Sequence, residues 1–263
     1  MCIFSQRVEV VSNTNIFARG VDGKQFLVYS MNYAAGSDLA MVLPLPVPPR
    51  PAEDAVRFIN LQRYSEFFDD MAKGFVWPRR EGGRTLRVWR GRAEPTLQVH
   101  DVGDFEASFI PRLEDFDRLD ERFRLPRDAW DRLPAYRDYG FAVFKLKRSP
   151  DGLGLRRVHP MAFEFPRRNP DLLYFPTLHI HDREIHPRAE FDHMLYCQVD
   201  AMDEANHGWN RARDTASTFM DVKRTDGIVL GERLCWRMPL RGELENKDTL
   251  VDKNGMVPVA LKV

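Results

Sequence analysis

Apolar and polar residues alternate along several short stretches of the chain, and this pattern predicts β-strands. The clearest of these stretches cover residues 16–19, 25–31, 139–146, 161–165 and 191–197. Asp22-Gly23 separates the first two of them. An Asp-Gly pair between apolar runs is a strong hairpin signal, because glycine adopts a positive φ without steric cost. We therefore predict a hairpin near the start of the chain.

Residues 39–47 form an apolar run that is interrupted and followed by prolines. The prolines concerned are Pro44, Pro46, Pro48 and Pro49. Proline has no N–H to donate to a neighbouring strand, so it is rare inside a sheet. This run is predicted to leave the sheet as an extended edge segment.

Helical patterns are few and short. Ser65 precedes an acidic and aromatic stretch, so we predict that it is the N-cap of a helix that ends at Gly74. A second helical pattern covers residues 114–123. A third turn, at residues 128–133, is predicted to bury Trp130.

Together these patterns predict an α+β fold that is mainly antiparallel β, with a sandwich or barrel-like arrangement and a few short helices. The chain has 263 residues, of which 43% are hydrophobic, and this is enough for one large core. No change in composition marks a domain boundary. We therefore expect a single β-rich domain over residues 1–263.

The charges balance, since 39 basic residues face 39 acidic ones. A basic footprint for nucleic acid is therefore absent at the level of the whole chain. The arginine-rich stretch at residues 84–92 is interpreted as an exposed strand. No stretch approaches the ~20 apolar residues of a membrane-spanning helix. We expect neither nucleic acid nor a membrane as partner, and the oligomeric state stays open.

The three cysteines, Cys2, Cys197 and Cys235, are an odd number and contain no Cys-x-x-Cys pair. This usage argues against the disulfide framework of a small secreted protein. The N-terminal residues lack the apolar run of a signal peptide. The expected compartment is therefore the cytoplasm.

Histidines are concentrated in one segment, because four of the seven lie between His179 and His193. Residues two apart on a strand share a face, so His179 and His181 are expected to point the same way. A tight turn at Asp182-Arg183 would pair His181 with Glu184 and His179 with His186. The next strand would bring further ligands alongside.

These residues predict a site for a divalent transition metal such as zinc, iron or copper. The candidate core ligands are His179, His181 and His186, and Glu184, His193 and Cys197 are candidates for the remaining positions. The His-x-His pattern before Glu184 loosely resembles the metal-binding strand of cupins. An open coordination position would permit catalysis on a small molecule that the sequence does not identify. Alternatively, the histidines bond only to nearby carboxylates such as Asp192.

The N-terminal cysteine supports a second hypothesis. Removal of Met1 would leave Cys2 with a thiol and an α-amine, whose pKa of about 7.7–8.0 lets it act as a base. Phe17-Ala18-Arg19-Gly20-Val21-Asp22 resembles the Phe-x-Arg-x-x-Asp stretch of the bile-salt-hydrolase and acylase branch of N-terminal nucleophile hydrolases. The resemblance implies a cysteine amidohydrolase with Cys2 as nucleophile and Arg19 and Asp22 in support.

The first 49 residues also resemble a bacterial family known only as a domain of unknown function. The shared features are the early cysteine, the hairpin at Asp22-Gly23 and the apolar, proline-rich run at residues 38–48. This resemblance implies a related fold and carries over no catalytic residue. A third hypothesis is therefore a non-enzymatic interaction or structural domain.

Overall fold

The structure is a computed structural model, and it describes residues 2–75, 100–102, 105–119, 124, 130–149, 154–181, 184–199, 207–252 and 258–259. Strands make up most of the regular structure in these residues. The strands are β1 (Cys2–Phe4), β2 (Val10–Val21), β3 (Lys24–Ala34), β4 (Leu39–Leu45), β5 (Arg57–Asn60), β6 (His100–Val102), β7 (Glu106–Ile110), β8 (Gly140–Leu146), β9 (Arg156–Val158), β10 (Met161–Pro166), β11 (Leu172–Phe175), β12 (His179–Ile180), β13 (Arg188–Gln198), β14 (Asn210–Thr215), β15 (Leu234–Glu245), β16 (Thr249–Asp252) and β17 (Pro258–Val259).

The helical segments are short. They comprise the α-helix α1 (Phe67–Lys73) and 3-10 turns at Gln62–Tyr64, Leu113–Arg118, Pro134–Tyr136, Ala216–Thr218 and Val222–Thr225.

The strands form three sheets. A five-stranded sheet has the order β12-β1-β4-β8-β7, and a nine-stranded sheet has the order β14-β15-β13-β2-β3-β10-β5 with β9 and β6 joined at β3. A small sheet has the order β11-β16-β17. Most pairs are antiparallel, and β1–β12, β2–β13 and β6–β9 are parallel. The expected fold class, mainly antiparallel β with a few short helices, is confirmed.

The two larger sheets pack face to face around one large core. Met41 and Phe144 contribute to it from the five-stranded sheet, and Leu27, Phe163 and Leu195 contribute from the nine-stranded sheet. All five side chains are fully buried. The arrangement is therefore a sandwich, and its interior is where the functional candidates must be sought.

Each large sheet is also covered on its outer face. Phe67 and Phe68 of α1 pack on Phe17 and Tyr196 of the nine-stranded sheet. Trp130 packs at 4.7 Å between ring centroids against Phe141, on the outside of the five-stranded sheet. Because both faces are buried, central strands such as β4 consist of apolar residues throughout.

The prediction that the proline-rich run leaves the sheet was wrong. β4 lies inside the five-stranded sheet, and Pro44 is the register partner of Phe141 in β8. On its other side β1 pairs with Met41 and Val42, and within the described residues no strand runs beside Pro44 there. The Tyr174 hydroxyl lies 2.9 Å from the Pro44 carbonyl, although its shorter contact, at 2.7 Å, is with the Asp248 carboxylate. In an antiparallel strand the N–H and the C=O of one residue point toward the same neighbour. Because the Pro44 carbonyl points toward Tyr174, the side that lacks an N–H also faces away from β8.

Other local predictions had mixed outcomes. Asp22 and Gly23, with φ of 44° and 77°, form the turn of the β2–β3 hairpin, as predicted. Ser65 is not the N-cap of α1, because Glu66 holds that position and the Ser65 hydroxyl bonds to the Glu66 carboxylate. The helix does end before Gly74.

The later helical patterns fall partly outside the described residues. The second one forms only a 3-10 turn at Leu113–Arg118, and residues 120–123 lie beyond the description. Trp130 is buried as expected, although residues 128–129 are not described. The arginine-rich stretch at residues 84–92 also lies outside the described residues.

Candidate functional site

Two histidines from different sheets meet in the interior of the sandwich. His179 lies in β12 at the edge of the five-stranded sheet, and His193 lies in β13 of the nine-stranded sheet. Their Nε2 atoms are 3.1 Å apart, and the ring centroids are 4.6 Å apart. The site therefore joins the two layers of the fold.

A third imidazole completes what we call the histidine cluster, which consists of His179, His181 and His193. The His181 ring centroid is 4.9 Å from that of His179. Aromatic rings border the cluster, with Phe191 4.5 Å from His179 and Phe4 5.5 Å from His181. Three imidazoles thus share a compact and largely apolar environment.

Strand alternation explains why His193 points inward. His193 is the register partner of Thr14 in β2 and of Leu240 in β15. It shares a face with Leu195 and Cys197, which belong to the main core, and it is only 3% exposed. The sequence pattern at residues 191–197 therefore predicted the strand, whereas the structure shows that the face with His193 is the buried one.

His179 is positioned by a polar turn between β15 and β16. The Asn246 side-chain oxygen accepts a bond from the His179 N–H at 2.7 Å. The Asn246 amide nitrogen donates to the carbonyls of His179 and His186, at 2.9 Å each. One side chain thus fixes the backbone of His179 on both sides.

Asp248 anchors the residues that precede His179. Its carboxylate accepts bonds from the N–H groups of Thr177 and Leu178, at 2.9 Å each. It also accepts from the hydroxyls of Tyr136, at 2.8 Å, and Tyr174, at 2.7 Å. With 2% exposure, Asp248 is a buried carboxylate held by four donors, as a buried charge requires.

Burial controls the protonation of the cluster. It lowers the pKa of His179 to about 3, and the neighbouring His181 adds to this effect. It also lowers the pKa of His193 well below its usual value, again with a contribution from His179. Both imidazoles are therefore neutral at neutral pH, and each retains one nitrogen lone pair.

The other candidate ligands do not share the burial and orientation of these rings. β12 pairs with β1 instead of forming a hairpin with the residues that follow it, and Asp182-Arg183 lie outside the described residues. Glu184 and His186 are exposed. Cys197 is four residues beyond His193 on β13, or about 13 Å away, and is fully buried in the core. Burial raises the pKa of its thiol.

The arrangement is not a complete coordination shell. Among the described residues, no group of three or more His, Cys, Asp or Glu side chains is placed to hold a metal ion. The closest approach to one is the pair of Nε2 atoms of His179 and His193. The acidic neighbour Asp192 lies apart from these atoms, since it is exposed and accepts a bond from the Asn13 N–H.

The residues of the hydrolase hypothesis are separated. Cys2 is the backbone register partner of His179, and its side chain lies outside the description. Arg19 is five residues beyond Thr14 on β2, about 16 Å along the strand from the level of His193. Its guanidinium donates to the carbonyls of Gly227 and Ile228. Asp22 belongs to the hairpin turn.

Comparisons with known proteins identify no family. No family model and no curated protein matches the chain. Among solved structures, the chain is similar to the crystal structure of baculovirus P35, with 14% identity and a TM-score of 0.49. The match covers 94% of this chain and 97% of that one. A likeness of this degree carries no information on function.

The described residues contain no helix that is both long and apolar enough to span a membrane.

Proposed function

We propose that the histidine cluster binds a divalent transition metal ion, with His179 and His193 as the first two ligands. The observation that carries this proposal is the 3.1 Å separation of their Nε2 atoms. Two ligand nitrogens on one tetrahedral ion lie about 3.3 Å apart, given metal–nitrogen bonds of about 2.0–2.1 Å. The observed distance is close to this edge of a coordination tetrahedron.

The protonation state of His179 and His193 also supports metal binding. Metal ions bind neutral imidazole, and protons compete with them for the nitrogen lone pair. Because burial lowers the pKa of both His179 and His193, protons compete weakly at neutral pH. Neither ring has to lose a net proton, but the Nε2 hydrogen that lies between the two rings in their 3.1 Å hydrogen bond must move to the Nδ1 of its own ring before both Nε2 atoms can bind one ion.

A third imidazole lies close to these two. The His181 ring centroid is 4.9 Å from that of His179, and a change in its side-chain torsions would bring a further nitrogen toward the same point. A set of imidazoles suits zinc and copper better than a hard cation such as magnesium.

The burial of the site favours a structural role for the ion. His193 is 3% exposed, and the Phe191 ring packs 4.5 Å from that of the half-buried His179, so this side of the cluster leaves little space for a substrate. Structural zinc sites are closed by protein ligands, whereas catalytic sites keep an open position. The ion would hold the short strand β12 of the five-stranded sheet against β13 of the nine-stranded sheet.

Metal analysis of the purified full-length protein tests this proposal. The wild type is expected to retain about one equivalent of zinc or copper by plasma mass spectrometry. The variants His179→Ala and His193→Ala are expected to lose it. His207→Asn serves as the control, because His207 is exposed and lies outside the cluster. Metal-free wild-type protein that also fails to take up zinc or copper in calorimetry would refute the proposal.

A second candidate function is nucleophilic chemistry at Cys2. The base in this version is the α-amine that removal of Met1 would expose, as in the sequence hypothesis. The backbone of Cys2 pairs with that of His179, but burial lowers the pKa of His179 to about 3, and an imidazole that resists protonation is a poor base. A reducing compartment, the cytoplasm, would keep the thiol available.

The test of this second candidate is intact-mass analysis followed by alkylation with iodoacetamide at several pH values. Removal of Met1 and fast modification at neutral pH, slowed when the α-amine of Cys2 is acetylated, would support it. A retained Met1 or a thiol that reacts like free cysteine would exclude it.

A further inference from the structure

A polar cavity lies on the outer face of the nine-stranded sheet, and its lining includes His193 together with the neighbouring residues of β13. Its volume is about 230 Å³. The sheet contributes Asn13, at an irregular point of strand β2, together with Asp192 and Tyr196 of β13. Helix α1 covers one side with Asp69. The cavity is below the usual range for drug-sized ligands, so its occupant must be small.

An irregularity in β2 helps to form this cavity. The pairing of β2 with β3 shifts register between Ser12 and Asn15, and Asn13 adopts a φ of 51°. The Asn13 N–H binds the Asp192 carboxylate at 3.2 Å, and the Asn15 amide binds the Asn13 carbonyl at 2.8 Å. Bulges of this kind redirect a strand and are common beside binding sites.

Three arginines border the cavity, namely Arg157, Arg237 and Arg241. Arg157 is balanced, because it forms a 2.7 Å bond to the Asp69 carboxylate. Arg237 stacks over the Phe75 ring at 4.7 Å, and within the described part of the chain neither it nor Arg241 has a carboxylate partner within ion-pair distance. The second carboxylate of the cavity, on Asp192, already accepts the Asn13 N–H.

From this charge arrangement we infer that the cavity is a binding site for a small phosphate monoester or for inorganic phosphate. Asp69 balances Arg157, and Asp192, the register partner of Arg241, offsets one of the other two arginines, so the lining keeps a net charge of +1. A phosphate monoester, with a charge of about −1.5 to −2 at neutral pH, is attracted by this excess and can accept hydrogen bonds from both Arg237 and Arg241. Arginine also presents its donors in a planar fork that matches phosphate oxygens.

The positions of the two arginines fit this ligand. Arg237 and Arg241 are four residues apart on β15, so they face the same side of the sheet with Cα atoms about 13 Å apart. The stacking on Phe75 holds Arg237 in place, while Arg241 is exposed at the rim. An anion between them would be held by one preorganised guanidinium and one that closes from the solvent side.

Calorimetric titration of the full-length protein with inorganic phosphate and with phenyl phosphate tests the inference, at constant ionic strength maintained with chloride. The wild type is expected to bind one equivalent saturably. Arg241→Gln and Arg237→Gln are each expected to weaken binding at least about tenfold, as the loss of a charged hydrogen bond does. Arg211→Gln is the matched control, because Arg211 is exposed on the neighbouring strand β14 and does not line the cavity.

Arg241→Gln is expected to fold normally, because an exposed residue at the rim contributes little to stability. Far-UV circular dichroism checks that each variant is folded. Equal affinity of wild type, Arg241→Gln and Arg237→Gln would overturn the inference. So would the absence of saturable binding by both phosphates. Benzoate that binds as tightly as phenyl phosphate would overturn the assignment of a doubly charged ligand.

Discussion

The side chain of Asn246 binds the backbone of His179 at both its N–H, at 2.7 Å, and its carbonyl, at 2.9 Å. The same amide nitrogen also reaches the carbonyl of His186. In this way a turn far along the chain performs the pairing that a further strand would otherwise provide for β12. The position of His179 opposite His193 depends on it.

Replacement of Asn246 by Asp is predicted to destabilise the protein and loosen the cluster. A carboxylate can still accept the His179 N–H, but it cannot donate to the carbonyls of His179 and His186. Each buried group left without a partner costs about 1–3 kcal/mol, so the loss of unfolding free energy should be at least about 2 kcal/mol. Urea denaturation measures it.

The control for this variant is Asn210→Asp, since Asn210 is exposed on β14. Equal stability of Asn246→Asp and wild type would contradict the role assigned to this amide.

Replacement of Asp248 by Asn is predicted to be at least as damaging. The Asp248 carboxylate accepts bonds from two backbone N–H groups and two tyrosine hydroxyls. An amide would turn its own donor group toward some of these donors and would remove the charge that strengthens all four bonds. We expect a loss of about 3 kcal/mol or more in urea denaturation.

Asp214→Asn is the comparison for this change, because the Asp214 side chain is 56% exposed. A neutral effect of Asp248→Asn on the unfolding midpoint would show that the network is dispensable.

The stability of the metal-free protein is predicted to fall as the pH drops from about 6.5 toward about 3. The pKa of His179 is about 3 in the folded protein, and that of His193 is also lowered. Below the ordinary histidine pKa of about 6.5, the unfolded chain therefore binds protons that the folded chain does not bind. The stabilisation from keeping these histidines neutral is fully present above pH 6.5. Below that pH each histidine lowers the free energy of unfolding by up to about 1.4 kcal/mol per pH unit.

Urea denaturation in the presence of a chelator, between pH 7 and pH 5, measures this slope before most carboxylates titrate. The double variant His179→Phe/His193→Phe should show a flatter profile, because phenylalanine takes up no proton. A wild-type profile that is already flat over this interval would contradict the prediction.

Replacement of Arg19 by Met is predicted to lower stability without changing the chemistry of Cys2. The buried guanidinium of Arg19 holds the carbonyls of Gly227 and Ile228 and stacks on Phe26 at 4.8 Å. Two carbonyls would lose their donor, at a cost of about 1–3 kcal/mol each. The rate of Cys2 alkylation should be unchanged, because Arg19 lies about 16 Å from the level of the cluster.

Thermal unfolding and alkylation kinetics on the same preparation test both halves of this prediction. Altered reactivity of Cys2 in a folded Arg19→Met protein would favour the hydrolase hypothesis instead. Arg211→Met, at an exposed position, is the control for the loss of a positive charge.

Several elements of the fold could be predicted from the sequence because their cause is local. Alternation over residues 191–197 predicted a strand, and these residues form part of β13. The Asp22-Gly23 turn formed because both residues tolerate positive φ. Burial on both faces likewise makes β4 apolar throughout, although its place inside the sheet was not foreseen.

The candidate site could be predicted only in part. The sequence predicted that His179, His181 and His193 belong to one metal site. It also predicted that the residues directly after β12 pair with it as a hairpin. The structure instead pairs β12 with β1 and places His179 opposite a histidine of the other sheet. Asn246 and Asp248 were missed altogether, since a polar turn contains no signal for the distant backbone that it binds.

The sequence by itself therefore determined the strands over residues 16–19, 25–31, 139–146, 161–165 and 191–197 and the turn of the first hairpin. These features depend on side-chain periodicity and turn chemistry, which act over a few residues. The tertiary structure alone decided which face of β13 is buried, that β12 lies beside β1 and that two imidazoles meet across the sandwich. Cys2 and His179 pair although 177 residues separate their positions, and His179 and His193 lie in different sheets. Such relationships arise from the packing of whole sheets, which no local pattern specifies.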